Sequence, residues 1–259
     1  DFMPFSPELV PPEYRGVFWS YGQRILAALD QVRQNPNLFA VYLSNFSCGP
    51  DSFLLSYAEQ IMDKKPMLIL TMDEHGADTG YITRLEAYLD VIRGKRLPAP
   101  ANPIYIPKAD ASEFKRRKIW IPPMHPYGTP IFADSFKAFG YDAEALPQED
   151  YEAFELGRAK PRGDECLPMS VTLGAFLKKL RDIGADPRKH AFFMPTSPGP
   201  CRFGQYALLD RIALNSSGYS EVPILSPSAS NTYMGLEGAL RRRLWLALLT
   251  SDVFFKAGC

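Results

Sequence analysis

Three thiols in this sequence share a local setting suited to chemistry. Cys48 lies in "NFSCGPDS", Cys166 in "GDECLPMS" and Cys201 in "TSPGPCRFGQY". Each borders a turn rich in glycine or proline and stands within a few residues of a stretch with helical periodicity. Cys48 and Cys201 also follow short apolar runs of strand length. A helix N-terminus carries partial positive charge, which favours thiolate over thiol and attracts anionic ligands. Gly49-Pro50, Pro168 and Gly199-Pro200 hold the turns and let backbone approach a bulky ligand closely. Thiols so placed suit a nucleophile or a metal ligand, and one shared iron–sulfur cluster would account for all three.

Taken one at a time, each thiol reads first as a small buried hydrophobe. Structural zinc sites announce themselves with cysteine pairs about two to four residues apart, and the sequence has none, so zinc is the less attractive metal. A disulfide between any two stays open without support from the spacing. Cys259 reads as incidental.

A second group is "MDEHGADTGYITRLE", where Asp73, Glu74 and His75 close an apolar run. They would stand at the same sheet edge as Cys48, so Glu74 and His75 are the candidate catalytic residues for moving protons or orienting a ligand. The structural alternatives are Asp73 capping a turn and His75 donating to a carbonyl. Arg202, followed by Gln205 and Tyr206, is the candidate for balancing an anionic cluster or phosphate, against a plain solvated first-turn arginine. Arg241, Arg242 and Arg243 read as the solvated face of a helix. His125, one histidine in the proline-rich "PPMHPYGTP", carries little weight.

The elements that must position these residues follow from periodicity. Prolines at 4, 7, 11 and 12 predict an extended N-terminal arm. Ile25, Leu26, Leu29 and Val32 recur at helical spacing before Asn35-Pro36 stops the run. "LFAVYLS" and "MLILTM" read as strands apolar on both faces, each followed by an amphipathic helix. The proline-rich stretch 94–110 predicts a boundary, after which the pattern restarts. "KIWIPPM", "DAEALP", "AFFMP" and "VPILSPS" read as strands. "IFADSFKAFG", "MSVTLGAFLKKLRDIG", "RFGQYALLDRIAL" and "GLEGALRRRLWLALLTSDVFFK" read as helices. The expected fold class is α/β: a first unit over 1–100 and a second over 101–259, facing one another, with ligands at the carboxyl ends of the strands.

The totals exclude some functions. At 259 residues the chain can bury a core without disulfide staples. Lys plus Arg and Asp plus Glu number 29 each, so no global field draws it to nucleic acid or anionic lipid. Its apolar runs are far shorter than the roughly 20 residues that cross a bilayer, so no membrane segment is expected. Four cysteines without a close pair favour the cytoplasm. An opening at Asp1 and a close on "FFKAGC" suggest a piece of a larger polypeptide.

Five stretches carry a resemblance: Trp19 to Ala28, "NFSCGPDSF" (45–53), "MDEHGADTGYITRLEAYLD" (72–90), "GDECLP" (163–168) and "FFMPTSPGPCRFGQY" (192–206). From about Tyr14 to Phe255 the chain resembles the acyl-CoA dehydratase activase-related proteins of anaerobes. These are similar to the cluster-bearing subunits of 2-hydroxyacyl-CoA dehydratases and to double-cubane cluster reductases. The resemblance implies two Rossmann-like parallel-sheet units, with an iron–sulfur cluster, [4Fe-4S] or double cubane, in the cleft between them on Cys48, Cys166 and Cys201. It also implies electrons delivered by an ATP-hydrolysing activase domain or protein, and an acyl-CoA or other small-molecule substrate. The family often has an aromatic residue after the second cysteine, where this chain has Leu167. No phosphate loop of the G-x-x-x-x-G-K-[ST] or G-x-G-x-x-G type is present, so ATP binding is not expected of this chain. Three thiolates on a four-iron cluster would leave one iron open, whereas common electron-transfer sites use four cysteines. The rival expectation is a cluster-free α/β scaffold or small-ligand domain with structural cysteines. A homodimer is left open.

Overall fold

The computed structural model describes residues 5–74, 76, 78–93, 104–184 and 186–258 and divides into two units, Asp1–Ile104 and Tyr105–Cys259. The expected boundary stretch spans this division, and its residues 94–103 lie outside the described residues.

In the first unit the N-terminal prolines do not give the extended arm expected. They open two short 3-10 turns, Pro7–Leu9 and Pro12–Tyr14, because proline's fixed φ suits a first helical position. Val10, Tyr14 and Val17 are buried beyond them, with the Tyr14 ring 5.4 Å from that of Tyr57. Helix α1, Ser20–Gln34, buries Leu26, Leu29 and Val32 as its spacing predicts. Its end is fixed from a distance: the buried Lys65 ammonium donates to the carbonyls of Val32 and Asn35. Strand β1, Ala40–Ser44, leads to α2, Asp51–Met62, in which Phe53, Leu54, Leu55, Tyr57 and Ala58 are all buried. Strand β2, Met67–Thr71, lies parallel to β1 with Ala40 opposite Met67, and α3, Asp78–Ile92, follows. The Tyr88 hydroxyl of α3 lies 3.0 Å from the carbonyls of both Ala40 and Pro66, clamping the strand starts.

One expectation fails here. Strand β1 is not apolar on two covered faces: Ala40, Tyr42 and Ser44 point inward, while Val41 and Leu43 are 43% and 61% exposed. Successive side chains alternate, so β1 has one covered face and one open one, whereas on β2 Leu70 is buried and its neighbours are half-buried.

The second unit is α/β with a parallel sheet, as expected. After α4, Ala111–Lys115, come β3, Lys118–Ile121, α5, Gly128–Lys137, and β4, Ala143–Ala145. Helices α6, Tyr151–Arg158, and α7, Leu167–Asp182, lead to β5, His190–Phe193. Helix α8, Tyr206–Ser216, β6, Ile224–Leu225, and α9, Gly238–Ala257, complete it. The sheet order is β4-β3-β5-β6, all parallel. Ile119, Ile121, Ala191 and Phe193 pack with Phe136 of α5 and Leu240 of α9 on one face. On the other, Phe192 stacks on Phe176 of α7 at 3.6 Å and Lys179 sits 4.6 Å over the Trp120 ring. Among the described residues no helix is long and apolar enough to cross a membrane.

Two glycines decide how α6 meets α7. A Cβ on Gly157 would fall 1.8 Å from the Ser170 carbonyl oxygen, and one on Gly174 would fall 1.6 Å from that of Ala153. The helices therefore cross at backbone contact.

Helix α8 buries an acid. Asp210 is fully buried, and neither carboxyl oxygen has a hydrogen-bond partner. Burial holds its carboxyl well above the usual carboxylate range, and Arg211 opposes this only partly. The Arg211 guanidinium instead donates to the carbonyls of Ser220, at 3.0 Å, and Val222, and burial pushes it down to about 10. An unfolded aspartate loses its proton above about pH 3.9, while the folded Asp210 keeps its own, so this residue's contribution to stability falls as pH rises from there toward the folded value. Asp210→Asn should flatten that decline. Urea unfolding at about pH 5 and about pH 8 should show a smaller stability difference in the variant than in the parent, and an equal difference would contradict the assignment.

Candidate functional site

Cys201 stands on the loop after β5, at the carboxyl edge of the sheet. The chain steps outward from β3 to β4 and then returns to place β5 on the opposite side of β3. In open α/β sheets such a reversal of direction opens a crevice where ligands bind. Cys201 does not enter a helix directly, contrary to the single run expected from Arg202 onward. It caps a 3-10 turn, Arg202–Gln205, and α8 begins only at Tyr206. The turn is built by close backbone approach. Gly204 donates from its N–H to the Cys201 carbonyl at 3.2 Å, and its own carbonyl accepts from the Thr196 hydroxyl at 2.7 Å. A Cβ on Gly204 would lie 2.3 Å from the Ser197 carbonyl oxygen.

Cys166 is the N-cap of α7, as Pro168 in its first turn suggests. Its carbonyl accepts from the Met169 N–H at 2.9 Å, leaving the side chain free of capping duty. The preceding loop is folded by the buried Glu165 carboxylate, which accepts from the backbone N–H groups of Arg162 and Gly163 at 3.2 and 2.9 Å. Because α7 runs back to the start of β5, its own start lies at the same edge as Cys201.

Cys166 contacts Tyr206 directly, whereas Cys201 acts on it electrostatically. The Cys166 sulfur is 2.7 Å from the Tyr206 hydroxyl. Burial first, then the bond to Cys166, then the charges of Cys166 and Cys201 all push the phenol's ionisation up, while Arg202 opposes them. The phenol therefore keeps its proton. Arg202 is close enough to act on this group electrostatically, though it is half-buried and makes no cap.

Cys48 lies in the first unit on the turn after β1, three residues before α2. Its N–H donates to the Asn45 carbonyl at 3.0 Å and its carbonyl accepts from Asp51 at 3.2 Å. The Asp51 carboxylate accepts from the hydroxyls of Tyr42 at 3.0 Å and Ser44 at 2.8 Å, pinning the turn to the strand. Phe46 and Ser47 both take left-handed backbone, φ +56° and +53°, before Gly49 at +59°. Two consecutive non-glycine residues in that region store strain, which persists only where surrounding structure holds it.

All three thiols are free, with Cys48 and Cys201 exposed and Cys166 half-buried. Among the described residues no group of three or more His, Cys, Asp or Glu side chains is assembled to hold a metal ion. Asp73 and Glu74 are exposed where β2 ends, on the same edge of the first sheet as the Cys48 turn because the strands are parallel. His75 and Cys259 lie outside the described residues. His125 has a structural task instead: its Nδ1 accepts from the Gly128 N–H at 2.9 Å and its ring packs edge-on to Phe255. Arg241, Arg242 and Arg243 are exposed, and Arg241 lies over the Tyr233 ring.

Sequence reading assigned no role to Tyr206. The partners are 40 residues apart, and only the fold brings them together. Nor did it find the strained turn, since Phe46 and Ser47 carry no sign of left-handed backbone. Comparison with protein-family models, with curated proteins and with solved structures finds no match.

Proposed function

We propose that the chain is the iron–sulfur module of an ATP-coupled, low-potential reductase or 2-hydroxyacyl-CoA dehydratase-like system. Its proposed thiolate ligands are Cys48, Cys166 and Cys201. The observation that carries this reading is the Cys166 sulfur 2.7 Å from the Tyr206 hydroxyl, with the Cys201 turn leading into the helix that Tyr206 begins, on the loop after a strand of a parallel sheet. The donor set suits the group: three free thiols on turns, none committed to a helix cap or a disulfide. The order β4-β3-β5-β6 supports a Rossmann-like reading of the second unit.

A bound cluster would supply one-electron chemistry at low potential. The chain's own residues do the rest: Asp51 and Glu165 shape the turns that present Cys48 and Cys166, and Gly204 shapes that of Cys201. Arg202 offsets negative charge beside Tyr206. Glu74 and His75 are the proposed proton-handling pair, an activase domain or protein is the proposed electron donor, and an acyl-CoA or related small molecule is the proposed substrate.

The test is anaerobic reconstitution of the chain with ferrous iron and sulfide. The parent should gain the broad visible absorbance of a cluster, with matching iron and sulfide content. Cys48→Ser, Cys166→Ser and Cys201→Ser should each lose most of it. Absorbance no greater than that of the triple variant would sink the proposal in favour of a cluster-free binding or scaffold domain.

A further inference from the structure

We infer that Tyr206 is a positioning residue for Cys166: its O–H donates to the Cys166 sulfur and fixes the direction in which that sulfur faces a ligand. What the sulfur holds rests on the iron–sulfur reading above, whereas the hydrogen bond stands without it.

The geometry leaves the pair little freedom. Cys166 has its backbone set by its place as N-cap of α7, where its carbonyl takes the first helical hydrogen bonds, so only its side-chain torsion is open. Tyr206 begins α8 and is 5% exposed, with its ring held edge-on to Phe203 at 5.3 Å. A phenol held this way, 2.7 Å from the sulfur, limits the torsion that remains. A thiolate bound to iron has no proton, so the phenol must then be the donor. Hydrogen bonds to cluster sulfurs are one of the levers that set a reduction potential, because they stabilise the more negative, reduced state.

The test is Tyr206→Phe in the full chain, read in two independent ways. In the iron-free protein the alkylation is run at about pH 10, above the usual thiol value of about 8.5. There the rate of Cys166 alkylation by iodoacetamide, measured against Cys48 in the same chain, should rise several-fold once the hydroxyl no longer occupies the sulfur. An unchanged ratio overturns the inference. In the reconstituted protein, iron content should hold while the midpoint potential moves to a more negative value, and an unmoved potential overturns the tuning role. If neither parent nor variant takes up iron, the cluster reading fails and the alkylation ratio still decides this one. Should Tyr206→Phe lose its helical circular dichroism, Tyr206→Met, which fills the space without a hydroxyl, serves in both measurements.

Discussion

Gly174→Ala is expected to destabilise the second unit by about 3 kcal/mol or more, lowering its melting temperature by on the order of 10 °C. The sign is opposite to the usual one. Glycine inside a helix costs about 1 kcal/mol relative to alanine, so the same change at an open helical position stabilises. Gly174 is not open: the added methyl would lie 1.6 Å from the Ala153 carbonyl oxygen and 2.9 Å from the Gly157 nitrogen, both backbone atoms that cannot swing aside. The two helices would have to separate, exposing Met169 and Leu173 and loosening the stack of Phe176 on Phe192. Gly80→Ala is the matched control, since a Cβ there meets nothing within 4 Å; it should leave stability unchanged or raise it by about 0.5–1 kcal/mol. Thermal unfolding of both variants checks the pair, and a Gly174→Ala protein as stable as its parent would show that the crossing is not at backbone contact.

Gly204→Ala should have the next largest effect, on the site more than on the fold. The new methyl would lie 2.3 Å from the Ser197 carbonyl oxygen, inside the turn that carries Cys201. Relief requires opening the loop between Ser197 and Gly204, which breaks the bond from the Thr196 hydroxyl and the bond from Gly204 N–H to the Cys201 carbonyl, displacing Cys201. The expected cost is about 1–3 kcal/mol of stability. On the proposed function, iron uptake should fall to the level of Cys201→Ser. Iron analysis after reconstitution reads this directly, and full uptake in a destabilised Gly204→Ala protein would remove the Cys201 loop from the site.

How much of this was legible in the sequence depends on whether the signal was local. The start of α7 was, because Pro168 and a long periodic run follow Cys166. The four strands of the second unit were visible as short apolar runs, yet β6 shrinks to Ile224–Leu225, since only those residues pair with β5. Helix α6 was missed. Its sequence "YEAFELGR" buries only Ala153 and Gly157 and is held by the Asp150 cap and by ion pairs from Lys178 and Arg181 to Glu152, none of which periodicity registers. The run from Arg202 was read as one helix because apolar spacing does not report the Gly204–Ser197 approach that keeps its first turn 3-10. The thiols were legible by type and turn chemistry, while the contact of Cys166 with Tyr206 was a matter of tertiary structure.

The strand order also has a kinetic consequence. β3 pairs with β5, Lys118 against His190, across the stretch of chain that holds α5, β4, α6 and α7, so the sheet closes over a long loop. Such closure is slow because entropy is lost before contacts repay it. The hairpin of α6 and α7 is local and free to form early. Cys166 would then be in place on a finished helix before the chain delivers Tyr206 to it, making assembly of this contact a late event in folding.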